Sequence, residues 1–446
     1  MKEKYLRKKY FMKLLKIQKS FKIFTDLNFA LLILGIIAVS SSLGSFIEQD
    51  EGINFYEENY KIPIYGFIND KLILSLGLDH VYTTWWFLTL LITLGISLIS
   101  CTITRQFPLF INSKDYFFRK KGNSFLRLPF SVKIKNIYYL KETILLKIQN
   151  MNFYIYQNGN LVYGYKGLIG RISPILVHLS LLIILGGSAL GTFKNFKVQE
   201  ILPKGEIFHI QNPIKAGLFT PLPTLTTRVN DFWVEYENNR IHQFYSNLSI
   251  LDNYGTEIKQ QTISVNNPLR YKNVDFYQSD WNLLGIRVKD KSDQKIYEFP
   301  LFSLKKVSKS WITWINNKNE NEILVFDQLQ NSFLMYDELG NFLQVKNIGE
   351  DLTENLAMID ILPSTGLLIK YDPSIPLIYF GFGLLMITTS LSYLPYTQIW
   401  VFSERKNSWI GSSTNRGKIQ LEIEFENLIR YIENLLTKTT FNIFKI

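Results

Sequence analysis

A chain of 446 residues with 47% hydrophobic, 15% aromatic and 20% charged residues is neither an ordinary soluble enzyme nor a pure bundle of membrane spans. One cysteine, Cys101, excludes an internal disulfide or CxxC pair, and the histidines, His80, His178, His209 and His242, have no zinc spacing. The net charge of +11 invites a nucleic-acid reading, which the distribution of that charge along the chain removes.

Residues 1–28 form a basic, partly amphipathic inner N-terminus, with Phe21, Ile23 and Phe24 near a surface suited to anionic lipid. They carry nine Lys/Arg against two Asp/Glu. The apolar run Phe29 to Ile47 follows and is long enough to span a bilayer, with Ala38 and Ser42 as a packing face. Together with the basic lead it mimics a signal peptide, with Ser-Ser-Leu-Gly-Ser near a cleavage site. The run exceeds a usual h-region, however, and cleavage would discard one of the spans that complete the charge pattern. A short acidic outer loop (48–84: two Lys/Arg, seven Asp/Glu) leads through KLILSLGLDHVYTTWWF into a second span at about Thr83 to Thr104. Trp85 and Trp86 fit the aromatic belt at the outer interface. His80, beside Asp79, reads either as an outer-side ligand oriented by a carboxylate or as an interfacial polar group. Cys101, at the inner end of this second span, reads as a small buried apolar residue.

Residues 105–171 form a basic inner loop, twelve Lys/Arg against two Asp/Glu. FSVKIKNIY and FYIYQNGNLVYGYKG alternate like short strands, and Asn158-Gly159 signals a hairpin. The third span, 172–193, carries no charge after Arg171 and a single ionisable residue, His178. Ser173 and Pro174 read as N-cap and first helical residue, which puts His178 roughly 7 Å inside the inner end at ~1.5 Å per residue. Small residues at Gly186, Gly187, Ala189 and Gly191 suit close approach of another helix. Taken alone, His178 either bonds a neighbouring helix or ligates a cofactor or relays protons, since ionisable groups in hydrocarbon are costly and tend to mark pathways.

From 194 to 372 the pattern changes to β, with 19 Lys/Arg against 22 Asp/Glu and turn signals such as Asn-Tyr-Gly. This predicts a sandwich or barrel-like outer domain, in which His209 and His242 are plain polar residues. A fourth span, 373–394, with Gly381 and Gly383, returns the chain inside. The inner tail, 395–446, ends in an amphipathic helix with Ile423, Leu428, Ile432 and Leu435 at helical spacing, predicted to lie against the membrane or a partner. The two basic loops fall on one side of four spans and both acidic ones on the other. The fold class is therefore membrane α-helical, with four transmembrane helices and a large outer all-β domain between helices three and four.

Several stretches resemble one family: SSLGSFIEQD (41–50), LGLDHVYTTWWF (76–87), SCTITRQFP (100–108), GRISPILVHLSLLIILGG (170–187), NDFWVEYENNRIHQFYSNLSILD (230–252), TISVNNPLRYKNVDFYQSDW (262–281) and SSTNRGKIQ (412–420). They are similar to the ResB-type cytochrome c biogenesis proteins, one half of the CcsB–CcsA haem delivery system. The resemblance implies a complex that carries haem b across the membrane and presents it, reduced, to CxxCH apocytochromes c. It also implies that His178 is an axial ligand to haem iron, with a second ligand from CcsA. His80 matches a family stretch and is a further cofactor-binding candidate. Arg270, Asp280 and Trp281 match another, where a salt-linked core accounts for them.

The resemblance makes this chain a subunit without catalysis of its own. The resemblance implies that the WWD-type haem-presenting loop belongs to the partner; it is not found here, since Trp85-Trp86 is followed by Phe87. The partners implied are CcsA, apocytochromes c and the lipid bilayer, with no nucleic acid. A membrane b-type electron carrier is the main alternative, but such carriers pair histidines from their own spans, and only one span here has one. A haem-free scaffold or apocytochrome chaperone is the other. The Lys-, Asn- and Ile-rich composition and SSLGSFIEQD point to a plastid-encoded thylakoid protein with its large domain in the lumen; a bacterial plasma membrane is the second possibility.

Overall fold

The computed structural model describes residues 22–443 apart from 64–68, 136–139, 238–239, 305–308, 318–319, 328–331, 353–354 and 405–406. The Lys-rich lead through Phe21 lies outside the described residues. Two compact units are present: Met1–Ala189 with Ile375–Ile446, and Leu190–Ser374.

In the first unit, four helices among the described residues are long and apolar enough to cross a membrane: Leu27–Phe46, Trp85–Ser113, Ile169–Lys194 and Ile375–Ser392. The first begins where the Asp26 carboxylate accepts from the Asn28 N–H. It buries Ile33, Ser40 and Gly44; the face expected at Ala38 and Ser42 is exposed. The second continues past Thr104 into what the sequence assigns to the inner loop. A π-turn at Thr102–Gln106 joins Trp85–Cys101 to Phe107–Lys114. The widened turn precedes Pro108, whose ring would clash with a carbonyl in a regular helix.

The third span corrects the expected helix start. It begins at Ile169, and Ser173 donates its hydroxyl to the Ile169 carbonyl at 2.8 Å instead of capping the helix. Pro174 sits inside the helix. His178 is therefore nine residues in, about 13 Å from the helix start at 1.5 Å per residue. Further along, this helix packs on the fourth span through two glycines. A Cβ on Gly187 would lie 2.8 Å from Ile378, and one on Gly381 would lie 2.7 Å from Ile184, whereas Gly186 and Gly383 have nothing within 4 Å.

The inner loop and the tail build one antiparallel sheet, in the order Phe130–Lys135, Asn407–Thr414, Thr397–Ser403, Leu161–Lys166, Tyr154–Asn158. The Asn158-Gly159 hairpin forms as expected, with Gly159 at φ 56°. The tail helix, Lys418–Ile443, does not present its stripe to a membrane. Phe425, Leu428 and Ile432 bury against Ile144 and Ile148 and against sheet residues Val162, Ile399 and Ile410. Ile423 is the exposed member of the stripe. The opposite sheet face is aromatic, with Tyr163, Trp400, Phe125 and Leu128 at its core.

The second unit is all β apart from the helix end that leads into it. Two long strands, Val274–Asp290 and Leu356–Tyr371, pair along their lengths with bulges at Gln278/Asp280 and Leu283/Gly285. One half of this pair packs on a sheet of Ile207–His209, Thr226–Glu237, Arg240–Leu251 and Glu257–Ser264, around Val198, Leu248, Ile263 and Phe276. The other half packs on a meander running from Phe302–Ser303 to Phe342–Asn347, around Ile286, Trp311, Leu324 and Phe333. Between the two cores, Ser246, Gln278 and Thr365 hydrogen-bond one another at 2.5–2.8 Å. Buried hydroxyls and an amide are tolerated there because each finds a partner.

Candidate functional site

His178 lies on the third span, half-buried, facing the second span at Thr102. Its Nδ1 is 2.8 Å from the Thr102 hydroxyl. Thr102 opens the π-turn, and its Oγ1 is also 2.8 Å from the Leu98 carbonyl. A threonine hydroxyl has one proton, and Leu98 is purely an acceptor. The proton therefore goes to Leu98, and Oγ1 accepts from Nδ1–H of the imidazole. That arrangement fixes the tautomer and leaves the lone pair on Nε2.

A neutral imidazole with Nδ1–H held by an acceptor and Nε2 open is the form that ligates a metal ion or haem iron. Among the described residues no three His, Cys, Asp or Glu side chains gather to hold a bare metal ion. One open nitrogen suits a metal that brings most of its own ligands, as haem iron does. Sequence reasoning found His178 but not Thr102. The signal available was Thr-Ile-Thr just before Arg105 and Pro108, a proline placed to force a widened turn. Cys101, next to Thr102, is a half-buried free thiol.

His80 lies in the stretch between the first and second spans. Its Nδ1 pairs with Asp79 Oδ2 at 2.8 Å. The backbone there is irregular, with His80 at φ −143° and ψ 46° after Gly77 at φ 68°. The stretch leading into the second span is thus divided into Asp70–Leu76, a 3-10 stretch Leu78–Thr83, and a new start at Trp85. A cleft of about 400 Å³ is lined by Leu74, Gly77, His80, Thr84, Trp85 and Trp86. The loop is held by the Asp79 carbonyl accepting from Asp50 N–H at 2.9 Å and by Gln49 bridging Ile47, Leu78 and Val81. Tyr60 donates to the Glu48 carboxylate, which keeps that carboxyl below its ordinary range. Burial, and then the same hydrogen bond, push the Tyr60 phenol up to about 12.

His209 and His242 are surface residues, as the sequence suggests: the first is 3.1 Å from Thr226 Oγ1, the second 3.2 Å from Glu237. The stretch holding Arg270, Asp280 and Trp281 is only partly what was expected. Arg270 is exposed, 3.6 Å from Asp275. Asp280 pairs with Lys309 at 2.9 Å, and Lys309 also caps the ring of Trp281 at 4.9 Å. Trp281 alone belongs to the core, against Trp311.

Residues 27–331 match the ResB-like family. The chain belongs to the ResB-like family. Relatives of this ResB-like chain include the cytochrome c biogenesis protein Ccs1 of Thalassiosira pseudonana, 45% identical over 93% of this chain and 100% of its own length. That of Phaeodactylum tricornutum is 43% identical over 93% and 100%. The cytochrome c biogenesis protein CcsB of Crocosphaera subtropica is 39% identical over 92% of this chain and 94% of its own. The family match holds His178, Thr102 and His80, and stops short of the fourth span and the tail.

Proposed function

We propose that this chain works in c-type cytochrome biogenesis as the haem-conducting partner of a CcsA-type protein. In this reading it carries haem from the inner side of the membrane and delivers it to apocytochrome c. The observation that carries the reading is the Thr102–His178 pair, with Nδ1 engaged at 2.8 Å and Nε2 open. Ligands of haem iron in biological sites are held this way, their second nitrogen fixing ring and tautomer. The spans of this chain offer no other histidine, so in this reading a second imidazole would come from the partner. The same fact weighs against a self-contained b-type electron carrier.

The relatives' names as cytochrome c biogenesis proteins support the wider assignment, as do four helices long enough to span. The reading makes the chain a subunit without catalysis of its own, set in a thylakoid membrane with the β unit in the lumen, where it positions CxxCH apocytochrome. His80, oriented by Asp79 beside the Trp85–Trp86 cleft, is the candidate for a haem contact on the outer side. The test is haem staining of c-type cytochromes in cells carrying His178→Ala. Loss of stained holocytochrome with the protein still inserted supports the reading; normal staining overturns it.

A further inference from the structure

We propose that Arg171 binds a haem propionate at the His178 site. The assignment rests on the haem reading of His178 and adds what holds the other end of the ligand. Arg171 and His178 are seven residues apart on one unbroken helix. Seven residues are two turns, so the side chains leave the helix within about 20° of the same direction, ~10 Å apart along the axis. A spacing of ~10 Å along the axis would let Arg171 hold a propionate of a haem bound at His178. Pro174 and Ile175 lie between the two on that face and give the macrocycle an apolar floor.

One donor of the guanidinium is unsatisfied where it stands. Arg171 Nε is sealed from solvent and hydrogen-bonds nothing among the described residues. A buried guanidinium donor without an acceptor is costly, so the position calls for an anion. Two neighbouring cations are committed: Lys166 pairs with Glu424 at 2.7 Å, and Arg416 donates to the Ser392 carbonyl at 2.5 Å. Arg171 is instead held over the ring of Tyr396, 5.0 Å from its centroid. Tyr396 is itself fixed, its hydroxyl donating to the Ser113 carbonyl at 2.8 Å. The stacked side chain keeps a planar fork suited to a carboxylate.

The experiment compares binding of haem and haem dimethyl ester, whose propionates are uncharged, to the full-length chain purified in zwitterionic nanodiscs, with absorbance as readout. Wild type should prefer haem, and Arg171→Gln should lose about tenfold of haem affinity while leaving ester binding unchanged. Arg171→Lys, which keeps a charge, should recover part of the preference and shows that the position tolerates change. Equal losses for haem and ester in Arg171→Gln would overturn the assignment. So would a haem preference that appears only when anionic lipid is added, which would make Arg171 a lipid headgroup contact. Failure of the underlying haem reading looks different: His178→Ala would then bind both compounds as wild type does.

Discussion

At the scale of single residues, the imidazole of His178 is set by one hydroxyl. Thr102→Val keeps the shape and removes the acceptor for Nδ1–H, so it should weaken haem binding by roughly 10- to 100-fold while the protein still inserts. Thr102→Ser should retain most of the binding; equal binding by the Val variant would show that the hydroxyl is idle. His178 was legible in the sequence because an ionisable group in a long apolar run stands out. Thr102 was not, since threonines bonding back to the i−4 carbonyl are ordinary in apolar helices, and its contact with His178 depends on a turn of irregular width. A second residue-scale expectation concerns acid. The Glu48 carboxyl is depressed in the fold, so the Tyr60 bond contributes stability above the ordinary glutamate value of 4.5 and loses it as pH falls through the folded value. The raised phenol acts in the opposite sense, contributing below its ordinary value and losing it as pH rises through about 12. Amide protection over Ile53–Asn59, corrected for the intrinsic exchange rate, should therefore fall from pH 5 to pH 3 in wild type, whereas in Tyr60→Phe it should already be low at pH 5. Parallel curves for the two proteins would contradict this account.

At the scale of elements, the third and fourth spans meet through Gly187 and Gly381 but not through Gly186 or Gly383. Gly381→Leu should drive a side chain into Ile184 and destabilise the helix pair by about 1–3 kcal/mol, the usual cost of overpacking. Gly383→Leu should be close to neutral. Thermal aggregation midpoints in detergent test this, and equal midpoints would refute the packing. Composition located each span, because an apolar run of that length matches the hydrocarbon thickness of a bilayer and exceeds what a buried core helix needs. Their ends were less legible. Ser173-Pro174 has the residues of a helix start, yet the turn before it is also helical, because Gly167 at φ 77° already sets the entrance and Ser173 bonds backward. The tail helix was recognised by its stripe, but a stripe alone does not say what covers it.

At the scale of the whole molecule, two stretches more than 200 residues apart in sequence share one sheet, the two tail strands lying side by side between Phe130–Lys135 and Leu161–Lys166. Nothing in the local pattern of residues 397–414 reveals that pairing, because register between distant strands is decided by which faces must be buried together. The consequence is testable. Removing residues 404–446 takes away the Asn407–Thr414 strand and the helix that covers the sheet, so Lys133, Lys135 and Lys147 should become rapid trypsin sites. A resistant loop would mean that it folds without the tail. Charge asymmetry predicts the rest of the arrangement: a reporter near Asn253 should read as outside and one near Asn123 as inside, and the reverse result would overturn the topology.

The central claim is that His178 holds haem. The most direct test is the reduced absorption spectrum of the chain purified with its CcsA-type partner, before and after His178→Ala. The account predicts a b-type spectrum that is lost or strongly weakened in the variant. An unchanged spectrum would leave haem wholly to the partner and make this chain a scaffold.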